Sequence, residues 1–341
     1  MSRRSKKIEP AAMTMVFEVP MAGGGVVDQH TIDLSQCASL LNRRFYRQGI
    51  NLAVSGFKFV TLDTVTGIVA VKKLPSTWVM SNAWEKSFRS WQEMNEKALE
   101  DTESIRPRFM DFKIYADDTH HNVGYAGNLL PGVLEPAFTP AVPGEWESSK
   151  ITIPTNAISN VATDFELIAV GASFQGASPS TTLDAVSLIE GYAASRGLPY
   201  TSDPNVPDDA DDVGPSGTPE NWMGALNNDG SDQDKDVLDR MVGAAAENNQ
   251  APYPFENDGT ATDTMYPGGA NQLNGLQFHD TEFITGTTIG GVSRLKGGMF
   301  PCGLVRIQTQ KNAAGQGLAT LLVDLVPGHH RGYLCEPMTE M

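Results

Sequence analysis

The chain has 341 residues, of which 40% are hydrophobic and 19% are charged, a composition typical of a folded globular protein. No apolar run approaches the roughly 18 residues that a membrane-spanning helix needs, so none is predicted. The N-terminus is basic but is not followed by the apolar stretch of a secretory signal. The net charge of -16 is unevenly distributed, because fifteen acidic and two basic residues lie between positions 201 and 264. Overall acidity therefore does not exclude a nucleic-acid partner.

Residues 1–12 are predicted to form a flexible basic arm, and residues 13–341 one folded domain. Four cations fall within the first seven residues, and a proline follows without any apolar periodicity. These cations are Arg3, Arg4, Lys6 and Lys7.

Alternating apolar and polar residues predict strands in the N-terminal part of the domain. They lie at residues 13–19, 26–33, 50–61 and 67–73. The last two are predicted to pair as a hairpin across residues 62–66, and Ser55-Gly56 marks a candidate β-bulge.

A short helix is predicted over residues 36–48, with Ser35 as its N-cap and Gly49 as its stop. Helical spacing then turns the apolar residues inward, Phe45 among them. It places three cations on or beside the outer face: Arg43, Arg44 and Arg47.

The clearest predicted helix spans residues 82–100. Asn82, with Glu85 three residues later, resembles a capping box. An aromatic stripe at helical spacing is interpreted as core packing, and it consists of Trp84, Phe88 and Trp91. A further helix is predicted at residues 183–195. Additional strands are predicted at residues 108–115, 145–153, 165–174 and 281–289.

Two β-rich runs near the C-terminus, residues 299–310 and 318–326, flank a glycine-containing loop and predict an antiparallel hairpin. The second run is almost wholly apolar, which indicates a doubly buried strand or a central strand of a sandwich.

Residues 199–275 are rich in Asp, Asn, Gly and Pro, and predict an acidic surface insertion with one helix at residues 232–248. Without βαβ alternation, the fold is predicted to be mainly β, a single jelly roll (an antiparallel β-sandwich) with inserted helices.

The residues do not indicate catalysis. No nucleophile elbow, P-loop, dinucleotide fingerprint or zinc-protease motif occurs. The acidic run at residues 232–236 lacks the glycine and glutamate of a calcium loop, and the histidine pairs at 120–121 and 329–330 are interpreted as surface residues. Three widely spaced cysteines predict free thiols: Cys37, Cys302 and Cys335. The chain is therefore predicted to be no enzyme and to bind no metal or cofactor.

Positive charge near the N-terminus is the strongest chemical feature. The cations of the arm, together with Arg43, Arg44 and Arg47, are predicted to neutralise phosphates without reading bases. A solubilising terminus with ordinary surface arginines is the alternative. Phe45 and Tyr46 lie beside the arginines and are candidates for stacking on bases, although core packing is favoured for Phe45.

Scattered short segments resemble capsid proteins of circular single-stranded DNA viruses that encode a replication initiator, the CRESS-DNA group. Residues 32–35 (IDLS) and 42–49 (NRRFYRQG) resemble the N-terminal part of such proteins. Residues 81–84, 301–304 and 332–338 resemble the smacovirus-like and circo-like members. The resemblance covers residues 13–175 and 276–341.

The resemblance implies a jelly-roll subunit that self-assembles into a small icosahedral shell, T=1-like, around circular single-stranded DNA. It implies that the acidic insertion lies on the outer surface, and that the protein resides in the virion after assembly in the host nucleus or cytoplasm. Its partners would be further copies of itself, single-stranded DNA bound without sequence specificity, and an unidentified host receptor, but no membrane. The arm departs from the long arginine-rich arm of circo-like capsids, so Arg43, Arg44 and Arg47 are expected to line the interior as well.

Two other functions stay open at this point. The first is a β-sandwich carbohydrate-binding or adhesion module, which would expose aromatic side chains on one sheet. The second is a hydrolase with an unrecognised carboxylate pair, which would show a cleft and a carboxyl of raised pKa. Neither accounts for a basic arm followed by an acidic insertion.

Overall fold

The structure is a computed structural model. It describes residues 10–99, 111–134, 137–156, 161–173, 176–196, 222–223, 275–286 and 291–340. The chain divides into two compact units. Unit 1 comprises Met1–Leu74, Tyr125–Trp146 and Gln277–Met338, and unit 2 comprises Pro75–Gly124, Glu147–Leu276 and Thr339–Met341. The structure is mainly β with antiparallel sheets, which confirms the predicted fold class at that level.

The strands are β1 (Thr14–Met21), β2 (Val27–Asp33), β3 (Ile50–Val60), β4 (Gly67–Lys73), β5 (Gly132–Leu134), β6 (Phe138–Pro140), β7 (Lys150–Asn156), β8 (Val161–Ile168), β9 (Ala185–Ser187), β10 (Gln277–Ile284), β11 (Val292–Phe300), β12 (Leu304–Lys311), β13 (Gly317–Leu325), β14 (Pro327–Gly328), β15 (Gly332–Tyr333) and β16 (Cys335–Pro337). The helices are α1 (Leu34–Asn42), α2 (Trp78–Leu99), α3 (Asp118–Val123) and α4 (Leu188–Arg196).

Unit 1 contains two large antiparallel sheets, besides the two-stranded pairs β5-β6 and β14-β15. One has the strand order β1-β13-β3-β11, with β16 added to β3, and the other has the order β10-β4-β12-β2. Alternate side chains of both sheets point into one shared core, where Phe17, Phe57 and Leu321 from the first sheet meet Val71 and Ile307 from the second. Burial of this apolar surface is the main force that holds the two sheets together.

The strand positions near both ends of the chain were predicted well, but the two predicted hairpins are wrong. β12 pairs with β2 and β4, whereas β13 pairs with β1 and β3, and β3 and β4 likewise lie in different sheets. The connections cross from one sheet to the other, because each strand then contributes its apolar side to the shared core. β13 lies between β1 and β3, which confirms the prediction of a central strand.

The bulge predicted at Ser55-Gly56 is confirmed. Leu52 and Phe57 both point into the core although an even number of residues separates them, so one extra residue is accommodated between them. The pairing with β13 shifts at this place, between Asp324 and Leu325. The neighbouring strand carries Gly297 here, where a Cβ would lie 2.2 Å from the carbonyl oxygen of Val54.

Helix α1 is shorter than predicted and begins earlier. Asp33, rather than Ser35, is the N-cap, since its carboxylate accepts hydrogen bonds from the amides of Ser35 and Gln36. The helix ends at Asn42 because Arg43 adopts a left-handed conformation with φ of 50°. The prediction that three arginines lie on a helix face is therefore wrong.

The segments that connect the strands of unit 1 lie at its two ends. At one end, the loop before β2 bonds to the loop after β12 through the amide of Gly24 and the carbonyl of Ala313, 3.0 Å apart. The other end holds α1, the short 3-10 helix Pro301–Gly303 and the first and last described residues of the unit, where the amide of Met338 donates to the carbonyl of Gly49. This second end carries the candidate site.

Unit 2 contains the sheet β7-β8-β9, in which β8 and β9 run parallel, and the helices α2, α3 and α4. Trp84 and Trp91 of α2 are buried against Phe112, with ring centroids 5.9 and 5.4 Å from it, which confirms the packing interpretation. The capping box at Asn82 is wrong. The helix begins at Trp78, and the hydroxyl of Thr77 accepts from the amide of Met80.

Several other predicted elements are wrong, have displaced boundaries or lie outside the described residues. The strand at residues 108–115 is wrong where it is described, because residues 111–114 form no strand and Tyr115 makes only a single bridge. The strands β7, β8 and β10 and helix α4 overlap the predicted elements with displaced boundaries. Residues 1–9 of the arm, and the acidic insertion except residues 222, 223 and 275, lie outside the described residues.

Candidate nucleic-acid interface

The predicted basic residues divide between described and undescribed parts of the chain. Arg3, Arg4, Lys6 and Lys7 lie outside the described residues. Arg43, Arg44 and Arg47 lie in the segment that follows α1, where Arg43 and Arg47 are exposed and Arg44 is half-buried.

Exposure alternates along this segment. Arg43, Phe45 and Arg47 are exposed, whereas Tyr46 and Gln48 are buried. Such alternation is typical of extended backbone, in which successive side chains point to opposite sides. Alternate residues of an extended chain lie roughly 6.6 Å apart, which applies to Phe45 and Arg47. Arg43 is left-handed and lies at the turn that ends α1. The segment therefore exposes a cation at the helix end, followed by an aromatic ring and a second cation.

The inward side chains fix the segment to the core of unit 1. The amide of Tyr46 donates to Ser39 Oγ at 2.9 Å, and its ring lies 5.5 Å from that of Tyr333. The side chain of Gln48 donates through Nε2 to Asp33 Oδ2 at 3.0 Å. These buried contacts hold the outward side chains in place, because the backbone between them is anchored on both sides.

Arg331 is a fourth arginine at this site, and the sequence analysis missed it. It lies in the turn between β14 and β15, is exposed, and donates through Nη1 to the carbonyl of Phe45. The hydroxyl of Tyr46 in turn donates to the carbonyl of Arg331 at 2.8 Å. Arg43, Arg44, Arg47 and Arg331 together are called the basic surface. No local pattern relates residues this far apart in sequence.

Three of the four arginines of the basic surface have no ionic partner within the described part of the chain. Arg43, Arg47 and Arg331 form no salt bridge with any described carboxylate. Asp33 lies behind the segment but is fully buried. Burial raises the pKa of Asp33 to about 6, although hydrogen bonds, among them those from Gln48 and from a tryptophan indole, oppose the shift.

Phe45 is an exposed aromatic residue within this surface, and its predicted burial is wrong. Its side chain is 45% exposed, while the neighbouring Tyr46 is 1% exposed. Because α1 ends at Asn42, the helical spacing that assigned Phe45 to the core does not apply to it. The ring lies 6.3 Å from that of Trp146, whose indole nitrogen donates to Asp33 Oδ2 at 3.0 Å.

The arm attaches to the fold beside the same surface. The amide of Ala12 donates to Asn42 Oδ1 at 2.9 Å, and the hydroxyl of Tyr333 donates to the carbonyl of Ala12 at 2.8 Å. Asn42 directly precedes Arg43. Lys7 is five residues from Ala12, and five residues span at most about 18 Å. Lys7 can therefore lie no farther than about 18 Å from Ala12.

A second polar cluster lies in unit 2, and the ion pair at its centre is fully buried. His121 Nε2 lies 2.9 Å from Glu166, which also accepts from the hydroxyl of Ser148, and both residues are completely inaccessible. His120 is buried too, and the ring of Tyr115 meets both imidazoles edge-on. The surface interpretation of this histidine pair is wrong, because α3 turns both rings inward. The other pair, residues 329–330, is exposed as predicted.

Metal and thiol chemistry have little support in the described residues. No group of three or more His, Cys, Asp or Glu side chains among them is arranged to hold a metal ion. The three cysteines are free, which confirms that prediction. Burial raises the pKa of Cys302, and it raises that of Cys335 to about 11, so neither is primed as a thiolate nucleophile.

No helix in the described part of the chain is long and apolar enough to cross a membrane. Comparisons with protein-family models, with curated proteins and with solved structures find no match to the chain. The strand arrangement of unit 1 and the basic surface are therefore the two features of the molecule that point to a function.

Proposed function

We propose that the protein is a viral capsid protein whose jelly-roll subunit self-assembles into a small T=1-like icosahedral shell around circular single-stranded DNA. One observation carries the proposal. Counted along the chain, the eight long strands of unit 1 are β1, β2, β3, β4, β10, β11, β12 and β13. The first pairs with the eighth, the second with the seventh, the third with the sixth and the fourth with the fifth, always antiparallel. This pairing supports a jelly roll, an architecture used by viral capsid domains.

The position of the insertion is compatible with this arrangement. Most of unit 2 lies in sequence between β4 and β10, the fourth and fifth strands. These two strands pair with each other, so the connection between them can lengthen without removing any strand from a sheet. The same place in the chain carries the acidic segment.

The basic surface supports a nucleic-acid cargo. Exposed arginines and an adjacent basic arm neutralise phosphates without regard to sequence, as packaging of a whole genome requires. The arm root and the basic surface lie at the same end of unit 1, so both can act on one strand of DNA. The protein would accordingly reside in the virion after assembly in the host nucleus or cytoplasm.

Assembly is tested by electron microscopy and light scattering of the purified full-length protein. Closed particles of uniform size support the proposal. A monodisperse monomer or small oligomer, unchanged across salt concentrations and pH, would overturn it.

The triple variant Arg43→Ala/Arg44→Ala/Arg47→Ala is expected to form particles that contain less nucleic acid. Each phosphate contact to a single strand contributes about 0.7 to the salt slope of binding, so three lost contacts lower that slope by about 2. The measurements are the 260/280 nm absorbance ratio of particles and the salt dependence of binding. The control replaces three exposed cations elsewhere: Arg89, Lys150 and Arg294. Equal nucleic-acid content in both variants would contradict the role of the basic surface.

A carbohydrate-binding or adhesion module is the second candidate, favoured by the exposed ring of Phe45 beside Trp146. Exposed aromatic rings stack on sugars, and jelly rolls also occur in lectin domains. Retention on immobilised glycans, lost in Phe45→Ala, together with the absence of particles would favour this function.

A further inference from the structure

We infer that the segment after α1 is a site selective for single-stranded nucleic acid, in which Phe45 stacks on an unpaired base and Arg43, Arg47 and Arg331 bind the flanking phosphates. This inference rests on the nucleic-acid part of the proposed function. It adds Arg331 to the predicted set and assigns base stacking to Phe45, one of the two aromatic candidates, because Tyr46 is buried. It also adds a preference, for single strands over duplex, that charge alone does not provide.

The geometry places the ring among the cations. Arg43 and Arg47 flank Phe45 on the exposed side of the segment, and Arg331 reaches its backbone carbonyl. A single exposed phenylalanine needs no special explanation, since such residues are common on protein surfaces. Here, however, Phe45 lies in sequence between two exposed arginines that form no salt bridge with a described carboxylate, Arg43 and Arg47. This combination of charge and aromatic surface is one that single-strand-binding proteins use.

The ring is held ready for stacking. It lies tilted against the ring of Trp146, whose indole is fixed by the hydrogen bond to Asp33. Its backbone is fixed by Arg331 and by the buried side chain of Tyr46. A ring that is already ordered loses little conformational entropy on binding, which favours affinity.

Stacking on Phe45 requires a base with a free face. In a duplex both faces of each base are covered by neighbours, whereas bases of a single strand can splay out onto an aromatic ring. Loss of one such stacking contact weakens single-strand binding by about 5- to 150-fold. Contacts from arginines to phosphates, in contrast, serve single strands and duplexes alike.

The test is fluorescence anisotropy with a labelled 20-nucleotide oligothymidylate and a labelled 20-base-pair duplex, each at several salt concentrations. Phe45→Ala and Phe45→Leu are expected to weaken binding of the single strand about 5- to 150-fold, with duplex affinity and salt slope unchanged. Phe45→Trp is expected to retain the single-strand affinity. Arg331→Ala is expected to weaken both probes and to lower the single-strand salt slope by about 0.7.

The matched control is Phe283→Ala, because Phe283 is 64% exposed on β10 and lies outside the basic surface. Thermal melting verifies that each variant folds. Equal weakening of both probes by Phe45→Ala, or weakening of neither, would overturn the inference. So would a single-strand loss in Phe283→Ala of the same size.

The outcomes separate this inference from the proposed function. A wild-type protein that binds neither probe overturns both the inference and the nucleic-acid cargo. A wild-type protein that binds both probes, with no selective loss in Phe45→Ala, overturns the inference alone. Selective loss in a protein that never forms particles under the microscope overturns the shell and supports the inference.

Discussion

Replacement of Glu166 by alanine is expected to lower the free energy of unfolding of unit 2 by about 3–5 kcal/mol. Glu166 and His121 lie 2.9 Å apart with no exposure of either side chain, and Ser148 donates to the same carboxylate. Removal of the carboxylate leaves the buried His121 and the half-buried Ser148 without this acceptor, and it opens a cavity. Hydrogen exchange of peptides from α3 and β8, combined with thermal melting, measures the loss.

The matched control is Glu147→Ala, which removes an exposed carboxylate of unit 2 and is expected to leave its stability nearly unchanged. Equal effects of the two substitutions would contradict the structural role of the buried pair.

The buried pair of Glu166 and His121 is also expected to make the stability of unit 2 sensitive to acid. Burial by itself would raise the pKa of Glu166, but hydrogen bonds from His121, Ser148 and Ser178 outweigh it, and the pKa lies below its ordinary value. A lowered pKa contributes stability that is present above the unfolded-state pKa of about 4.3 and is lost as the pH falls through the folded-state value. Glu166→Gln is expected to lack this part of the acid dependence in melting curves.

The second large effect is expected at Asp33, where alanine should destabilise unit 1 by about 3–5 kcal/mol. The N-cap itself contributes roughly 1 kcal/mol, and each buried donor left without an acceptor costs about 1–3 kcal/mol. Two such donors are the side chains of Gln48 and Trp146, each 3.0 Å from Asp33 Oδ2. Chemical denaturation of the full chain, followed by hydrogen exchange in α1, measures the change.

Asp33→Asn separates the two contributions. Asparagine caps helices well through its carbonyl oxygen, so the amides of Ser35 and Gln36 keep an acceptor. Its amide nitrogen would instead face the donors of Gln48 and Trp146. We therefore expect Asp33→Asn to cost less stability than Asp33→Ala. Its cost should be smaller still when it is made in a Trp146→Phe variant and measured relative to that variant. Equal losses in the alanine and asparagine variants would contradict the cap.

Asp33 is expected to give unit 1 a pH dependence opposite to that of unit 2. Burial raises its pKa from 3.8 to about 6. A raised pKa contributes stability that is fully present below the unfolded-state value and is lost as the pH rises through the folded-state value. For one carboxyl this amounts to up to about 3 kcal/mol between pH 4 and pH 7. Melting of Asp33→Asn should lack this loss.

Asp33 also connects the core of unit 1 with the basic surface. It holds Gln48, which anchors the segment of Arg43 and Arg47, and Trp146, against which Phe45 lies. Asp33→Ala is therefore expected to loosen the Phe45 ring as well as the helix start.

The sequence alone determined the features that depend on neighbours along the chain. Strand positions such as β1, β2 and β4 follow from period-two alternation, because only extended backbone turns every second residue inward. The bulge at Ser55-Gly56 and the packing of the Trp84 stripe follow from equally local patterns. The mainly β fold class was accessible for the same reason.

Only the tertiary structure decided which strands pair and which side chains share a surface. The short loops before β4 and β13 have the composition of hairpin turns, yet both connect different sheets, because burial of apolar faces between two sheets outweighs local turn preference. Arg43 adopts a left-handed conformation that ends α1, and beyond it Phe45 is exposed and Tyr46 is buried. Arg331 reaches Phe45 across 286 residues of chain, a contact that no local pattern encodes.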